Sequence, residues 1–170
     1  MPRKGRCAHR ARCVIAGFLA IAALASSGAP ARAQELIQSL SVAGWEGGAY
    51  RRADGRVLCA VWDQYAEGVG LWLGWDDTGF YIDIQDSRLQ LEPDHLHMVT
   101  LQIDDRWRAE AEGYAIDATT LAVTFQTDPA ALGAFRAGER LYLLELDRAY
   151  TLNGTADAIG ALERCYAAHS

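Results

Sequence analysis

The sequence predicts a mainly β fold, an antiparallel β-sandwich or partly open barrel, with one short helix and a C-terminal helix tied down by a disulfide. Three observations lead to this prediction. Apolar and polar residues alternate with a period of two in several segments, as in strands that bury one face. Separators rich in glycine and aspartate divide these segments at hairpin spacing. Two cysteines, Cys59 and Cys165, remain once the first 33 residues are set aside.

The first 33 residues have the three parts of a secretory signal peptide. Five basic residues lie within the first twelve, an apolar run follows at Val14–Ala25, and Ala31-Arg32-Ala33 forms an A-x-A cleavage site. The apolar run is too short to span the ~30 Å of a bilayer core. We therefore expect removal of residues 1–33, a single β-rich domain over residues 34–170, and a periplasmic or secreted protein without a membrane span.

The expected mature chain is strongly acidic. Six of the sixteen lysines and arginines leave with the signal. The mature chain then has ten basic and 22 acidic residues and a net charge of −12. Such a chain repels nucleic-acid backbones and anionic lipids, which bind proteins through lysine and arginine. A basic periplasmic or envelope protein is the partner that this charge predicts.

The strands follow one another in a meander of hairpins. Residues Val57 to Trp62 are apolar at nearly every position, which is typical of a central strand covered on both sides. The other segments alternate and predict one buried face each. The predicted strands are Trp45–Arg51, Val57–Tyr65, Val69–Trp75, Phe80–Gln85, Val99–Ile103, Leu121–Phe125, Leu141–Leu146 and Tyr150–Leu152.

Helical signals come late in the chain. Asp128 followed by Pro129 predicts an N-cap with proline in the first turn, and Gly138 ends a helix of about two turns. Asn153-Gly154-Thr155 then opens a second helix, and we interpret this segment as its cap. Apolar residues at helical spacing place Cys165 on the stripe of this helix that faces the core.

Cys59 and Cys165 are predicted to form a disulfide. Cys7 and Cys13 leave with the signal, and no C-x-x-C motif or ligand cluster offers the remaining pair another use in an oxidising compartment. In the chain-entropy model, closing a loop of about 105 residues stabilises the fold by up to ~4 to 5 kcal/mol. The bridge would hold the terminal helix against the strand that carries Cys59.

Both ends of the expected mature chain resemble a known group of proteins. The residues concerned are Gly44-Trp45-Glu46-Gly47-Gly48-Ala49-Tyr50, Cys59, Tyr65 with Gly68, and Tyr150-Thr151-Leu152-Asn153-Gly154-Thr155 with Ala158, Leu162 and Cys165. They resemble uncharacterised exported proteins of alphaproteobacteria, and the tail is similar to that of small periplasmic proteins related to the invasion-associated locus B family. The resemblance implies a β-rich periplasmic fold and an accessory role at the envelope. It brings no catalytic residue.

Two histidines form the only metal-like pattern. Asp94-His95-Leu96-His97 places two imidazoles on one side of a strand, a spacing that can hold a divalent cation. The sequence shows no third and fourth ligand. The alternation also puts His95 and His97 on the same side of the strand as the apolar Val99. We therefore predict strand-end residues, no metal and no cofactor.

Paired aspartates are the strongest hint of an enzyme. Asp76-Asp77 and Asp104-Asp105 have the residue type that glycosidases use for acid/base catalysis. Adjacent residues of a strand point to opposite faces, however, and in a turn such pairs stabilise the turn itself. The chain also lacks a G-x-S-x-G motif. We predict no catalytic residue and a protein that is not an enzyme, and keep a carboxylate-dependent hydrolase of envelope glycans as the alternative.

The tryptophans predict a binding surface instead. Trp72 and Trp75 lie beside Asp76 and Asp77, and aromatic anchors next to carboxylates suit a cationic partner. The alternation predicts that Trp72 is exposed, because Leu71 and Leu73 take the buried face. We therefore predict a non-catalytic binding or accessory protein that binds another protein through an acidic, aromatic surface. An inhibitor or immunity protein against a basic enzyme is a second alternative.

Overall fold

Ten strands and two helices make up residues 34–170, the part of the chain that the computed structural model describes. The predicted signal peptide, residues 1–33, lies outside the described residues. The strands are β1 Glu35–Val42, β2 Trp45–Arg51, β3 Val57–Ala66, β4 Val69–Asp76, β5 Gly79–Asp86, β6 Leu96–Ile103, β7 Trp107–Asp117, β8 Thr120–Gln126, β9 Arg140–Leu143 and β10 Arg148–Thr151. The helices are α1 Pro129–Ala137 and α2 Thr155–His169.

All neighbouring strands are antiparallel and belong to one open sheet with the order β1-β2-β3-β4-β5-β8-β7-β6-β9-β10. The first five strands form a meander, of which β2 to β5 were predicted. β8 then pairs with β5, and β7 and β6 follow in reverse order. The predicted mainly β antiparallel fold with a short helix and a C-terminal helix is confirmed.

The two faces of the sheet differ in what covers them. On the inner face, α2 packs against β3 and β4 and also contacts α1, and the core lies between these helices and the sheet. Alternate residues of the strands fill this core, as the period of two predicts. Its largest fully buried side chains include Trp45, Tyr150, Phe80, Phe135, Leu71, Leu73, Ile82 and Ile84.

The predicted disulfide between Cys59 and Cys165 is confirmed. It joins β3 to α2, with the two Cα atoms 6.2 Å apart. Both cysteines are buried in the core. The bridge therefore holds the C-terminal helix on the inner face, where the prediction placed it.

The sheet curls, so that its last strand returns to the ends of β3 and β5. Tyr65 of β3 donates a hydrogen bond to the carbonyl of Thr151 in β10 at 2.7 Å. At the end of β5, the buried carboxylate of Asp86 pairs with Arg148 of β10 at 2.7 Å. The Tyr150 hydroxyl donates to the same carboxylate at 3.2 Å. These side chains join strands that are far apart in the sheet order.

Both helices start where the sequence predicts. The Asp128 carboxylate accepts the Ala130 N–H at 2.9 Å, so the predicted N-cap of α1 is present. The cap of α2 is Gly154, the middle residue of the predicted segment, which has φ +74° and no side-chain bond. The Asn153 carbonyl accepts the Trp45 indole N–H at 2.8 Å.

The predicted strand Leu141–Leu146 is too long. β9 ends at Leu143, and Leu144–Leu146 form one turn of 3₁₀ helix. Asp147 follows with φ +48°, and β10 pairs back onto β9. The chain needs this tight reversal because only four residues separate the two paired strands.

Candidate binding groove

An open groove of about 600 Å³ lies on the outer face of the sheet, opposite the helices. Its lining residues alternate along the strands with the core residues, so the period that builds the core also builds the groove. It spans β2, β3, β4, β5, β8 and β7. The groove is lined by Gln34, Tyr50, Arg52, Leu58, Ala60, Trp62, Trp72, Asp76, Thr78, Tyr81, Asp83, Tyr114, Ile116, Ala122 and Thr124.

Strand register places five of these residues in one line across the sheet, which we call the central row. Trp62 pairs with Trp72 between β3 and β4, and Trp72 pairs with Asp83 between β4 and β5. On the other side, Asp83 pairs with Ala122 of β8, and Ala122 pairs with Tyr114 of β7. The Asp83 carboxylate therefore has the two indoles on one side. On its other side lie the small Ala122 and then the phenol of Tyr114.

The two indoles of the central row form a stacked pair. Their ring centroids are 5.9 Å apart and the planes differ by 19°. Trp62 keeps 38% of its surface exposed, while Trp72 is half-buried. The Trp72 ring lies over Gly70, where a Cβ would come within 3.2 Å of the indole. The pair offers a flat apolar surface beside the carboxylate, and such indole faces attract cations and planar groups.

Tyr81 forms the floor next to the central row. Its ring lies over Gly74, its partner on β4, and a Cβ at Gly74 would overlap the ring. Glycine is required there because the ring occupies the place of a side chain. Burial raises the pKa of the Tyr81 phenol, and the nearby charges of Asp83 and Asp76 raise it further. Tyr81 therefore stays neutral.

Asp83 is the unusual group of the groove. Burial, and then the charge of Asp76, raise its pKa to about 6. Among residues 34–170 no group donates a hydrogen bond to its carboxylate or forms an ion pair with it, and its oxygen atoms stay open to the groove. A carboxylate that is desolvated and unpaired in a cleft is a frequent mark of a functional site.

Asp76, the second carboxylate of the groove, has the opposite environment. Burial alone would raise its pKa, but hydrogen bonds from Thr78 and Arg52 outweigh that effect and hold the pKa below its usual value. The Thr78 N–H and hydroxyl donate at 2.8 and 2.6 Å, and the Arg52 guanidinium at 2.8 Å. Asp76 is therefore a satisfied anion at one end of the groove.

The four predicted binding residues do not lie together. Trp72 and Asp76 line the groove. Trp75 points to the inner face and packs on the core, with its ring 6.2 Å from that of Phe80. Asp77 lies in the turn after β4, outside the groove, and accepts a hydrogen bond from Arg56 at 2.8 Å. The alternation separates neighbouring residues of β4 onto two faces.

Sequence reasoning missed Trp62, Tyr81 and Asp83 as site residues. One signal was present, because Tyr81 and Asp83 alternate with the apolar residues of a strand and so share its other face. A polar face on a strand in the middle of a sheet indicates a cleft. That β5 lies in the middle is decided by its pairing with β8, which the local pattern does not contain.

Exposed apolar side chains continue the groove on one side. Tyr114 and Ile116 of β7 line the groove, and on β6 Leu96 pairs with Tyr114 and Met98 with Glu112. Leu96 and Met98 are 62% and 63% exposed. We call these four residues the apolar margin. The Tyr114 hydroxyl is fixed by donating to the Asp94 carboxylate at 2.7 Å.

The other candidate sites have local structural partners. His95 Nδ1 lies 2.9 Å from the Pro93 carbonyl, and His97 Nε2 lies 3.3 Å from that of Glu92. Across residues 34–170, no three histidine, cysteine, aspartate or glutamate side chains are grouped as metal ligands. Asp104 lies in the turn between β6 and β7, and its carboxylate accepts the N–H groups of Glu139 and Arg140 at 3.0 Å each, which joins this turn to the start of β9.

Comparisons of the chain with protein-family models, curated proteins and solved structures found no match. No helix in the described part of the chain is long and apolar enough to cross a bilayer.

Proposed function

We propose that this protein is a non-catalytic binding protein that docks a basic partner protein on the groove and its apolar margin. The single observation that carries the proposal is the central row, in which stacked indoles stand beside an unpaired carboxylate. Aromatic residues in partly desolvated pockets are the usual anchors of protein interfaces. The apolar margin extends this surface beyond the size of a small ligand.

Charge supports a basic partner. Residues 34–170 carry a net charge of −12, which attracts a basic protein over long range and speeds encounter at low ionic strength. The disulfide is consistent with an oxidising compartment such as the periplasm. An accessory role at the envelope, and the inhibition of a basic enzyme, are two forms that this binding function would take.

Affinity capture with matched variants tests the proposal. Protein produced from the full chain is immobilised as wild type, as Trp72→Ala and as Tyr142→Ala, the last removing a half-buried aromatic residue of β9 outside the groove. We expect one protein from a periplasmic extract to bind wild type and Tyr142→Ala alike. Trp72→Ala should weaken this binding by ~1 to 3 kcal/mol. The association rate should fall as salt rises.

Two results would contradict the proposal. One is capture that Trp72→Ala leaves unchanged while the variant stays folded. The other is an association rate that does not respond to ionic strength, which would remove the electrostatic part.

A second candidate function has one specific observation in its favour. Asp83 and Asp76 line the same groove with pKa values shifted in opposite directions, as in a pair made of a general acid and a carboxylate. The candidate is a hydrolase of glycans, with a sugar stacked on Trp72. Turnover of peptidoglycan fragments that is lost in Asp83→Asn and kept in Asp77→Asn would establish it in place of the binding function.

A further inference from the structure

We infer that Asp83 anchors a subsite for an organic cation, the guanidinium or ammonium group of a basic side chain that the partner inserts between Trp72 and Tyr114. The inference rests on the proposed function, which it makes more specific.

Comparison of Asp83, which is half-buried, with the two buried carboxylates shows what it lacks. Asp76 pairs with Arg52 and Asp86 with Arg148, so these anions have their cations within the protein. Asp83 has none among the described residues, although it is held in a desolvated position. Burying a charge without a partner is unfavourable, and the missing cation is therefore expected to come from outside.

The geometry of the central row leaves room for such a cation. Neighbouring strands are about 4.8 Å apart, so the backbones that carry Trp72 and Tyr114 are separated by about 14 Å over three strand intervals. Between them lie Asp83 and Ala122, and the alanine methyl fills little of the space. A cation above Asp83 would contact the carboxylate below and an aromatic ring at its side.

The other charged and titratable groups that line the groove do not supply the cation. Arg52 of β2 is engaged by Asp76 of β4. The remaining titratable groups are phenols, Tyr50 on β2, Tyr81 on β5 and Tyr114 on β7, and phenols carry no positive charge.

Binding should depend on pH because the anchor titrates. With a pKa of about 6, the Asp83 carboxylate is ionised at pH 7.5 and about nine-tenths protonated at pH 5. Asp76, whose pKa is lowered, stays ionised at both pH values. The raised pKa values of Tyr81 and Tyr114 keep these phenols neutral. We expect the affinity for a cation to fall about tenfold between pH 7.5 and pH 5.

A charged and a neutral probe of nearly equal shape test the subsite. N-acetyl-arginine methylamide carries the guanidinium, and N-acetyl-citrulline methylamide replaces it by a neutral urea. Each is titrated into the full protein at pH 7.5 while the indole N–H signals are followed by NMR. We expect the arginine probe to shift the Trp72 signal and the citrulline probe to leave it in place. Asp83→Asn should weaken the arginine probe at least tenfold.

Asp157→Asn is the matched control, because it removes the same charge from the exposed surface of α2 on the other side of the sheet. It should leave the affinity unchanged. Equal binding of the two probes, or equal binding of the arginine probe to wild type and Asp83→Asn, would overturn the inference.

The partner assay separates this inference from the proposed function. If the captured protein binds Asp83→Asn as tightly as wild type but binds Trp72→Ala more weakly, the docking function stands and the cation subsite fails. If the arginine probe binds through Asp83 but capture does not depend on Trp72, the docking function fails. The cation would then be a free small molecule and not a side chain of the partner, which overturns the inference.

Discussion

At the scale of single residues, Asp83 is held in a place that opposes its charge. A central strand position between an indole and an alanine removes water from the carboxylate without giving it a donor. Functional groups are often kept at such cost to stability, because the same desolvation strengthens their interaction with a ligand. The free energy of unfolding should therefore report on this residue.

Asp83→Asn is expected to stabilise the protein at neutral pH. The folded state raises the pKa of this carboxyl from 3.8 to about 6, so it holds the proton more tightly than the unfolded state does. The destabilisation of the wild-type fold by this carboxyl is thus absent below about pH 4 and grows as pH rises from there to about 6. Above pH 6 it amounts to at most about 3 kcal/mol. Urea unfolding of both proteins at pH 7.5 and pH 4 measures this difference.

Asp157→Asn should show no comparable gain at pH 7.5, since this aspartate is exposed. A gain for Asp83→Asn that is the same at both pH values would mean that titration of the carboxyl is not its cause.

At the scale of secondary structure, small residues decide where large ones can lie. Gly74 of β4 has Tyr81 across it, and Gly70 has Trp72 over it, so aromatic rings lie flat along the sheet. Local patterns predict a strand from its alternating apolar side chains, and two strands were missed. β1 was not predicted, and β7 alternates small alanines with charged residues, which gives too few apolar side chains to indicate a strand.

Gly74→Ala should disturb the groove and destabilise the fold. The new methyl group would overlap the Tyr81 ring, which must move, and crowding of this kind costs about 1 to 3 kcal/mol. Urea unfolding gives the loss, and NMR of the Trp72 indole reports the change in the groove.

Gly133→Ala is the control for this substitution. It lies in α1 with no atom close to the added methyl group, and alanine is favoured over glycine in helices by roughly 0.5 to 1 kcal/mol. It should stabilise slightly and leave the indole signal unchanged. A harmless Gly74→Ala would mean that Tyr81 does not lie across this glycine.

At the scale of the whole molecule, two links between distant parts of the chain hold the curled sheet. The Cys59–Cys165 bridge joins residues 106 apart in sequence and keeps α2 on the core. Asp86 joins the end of β5 to β10 through Arg148 and Tyr150. Each link closes a long loop, so each acts on global stability more than on local structure.

Removal of the bridge by Cys59→Ser with Cys165→Ser should lower the melting temperature by about 10 °C or more. The chain-entropy model assigns such a loop up to ~4 to 5 kcal/mol, and for a domain of this size each kcal/mol corresponds to roughly 2 to 4 °C. Thermal unfolding by circular dichroism measures the change. An unaltered melting curve would show that the bridge contributes nothing to stability.

Asp86→Ala should cost about 1 to 3 kcal/mol at pH 7, because it removes the carboxylate that binds Arg148 and leaves the buried Tyr150 hydroxyl without its acceptor. Burial opposes the charge of Asp86, but bonds from Arg88 and the charges of Arg148 and Arg88 lower its pKa in the folded state. Its contribution is therefore complete above the unfolded pKa of about 3.8 and is lost as pH falls through the lower folded value.

Asp77→Ala serves as the comparison, since it removes an exposed ion pair with Arg56, and exposed ion pairs contribute little to stability. Equal losses for the two variants at pH 7 would contradict the role given to Asp86. Unfolding in urea at pH 7 and pH 3 tests both the size and the pH dependence.

The sequence by itself determined the strand meander from Trp45 to Gln85, the start of α1 at Asp128 and the pairing of the two cysteines. These features depend on local chemistry: the period of two, the turn residues, the capping carboxylate and the lack of any other cysteine outside the first 33 residues. They also assigned Trp72 to the face of β4 away from the core.

Only the tertiary structure decided what stands beside Trp72. The prediction placed Trp75, Asp76 and Asp77 there because they are close in sequence. Asp76 does share the groove with Trp72, but Trp75 packs on the core and Asp77 lies in the turn after β4. Asp83, Ala122 and Tyr114 complete the central row through the pairing of β5 with β8 and of β8 with β7. Register between strands far apart in the chain is set by the packing of the whole core, so no local pattern contains it.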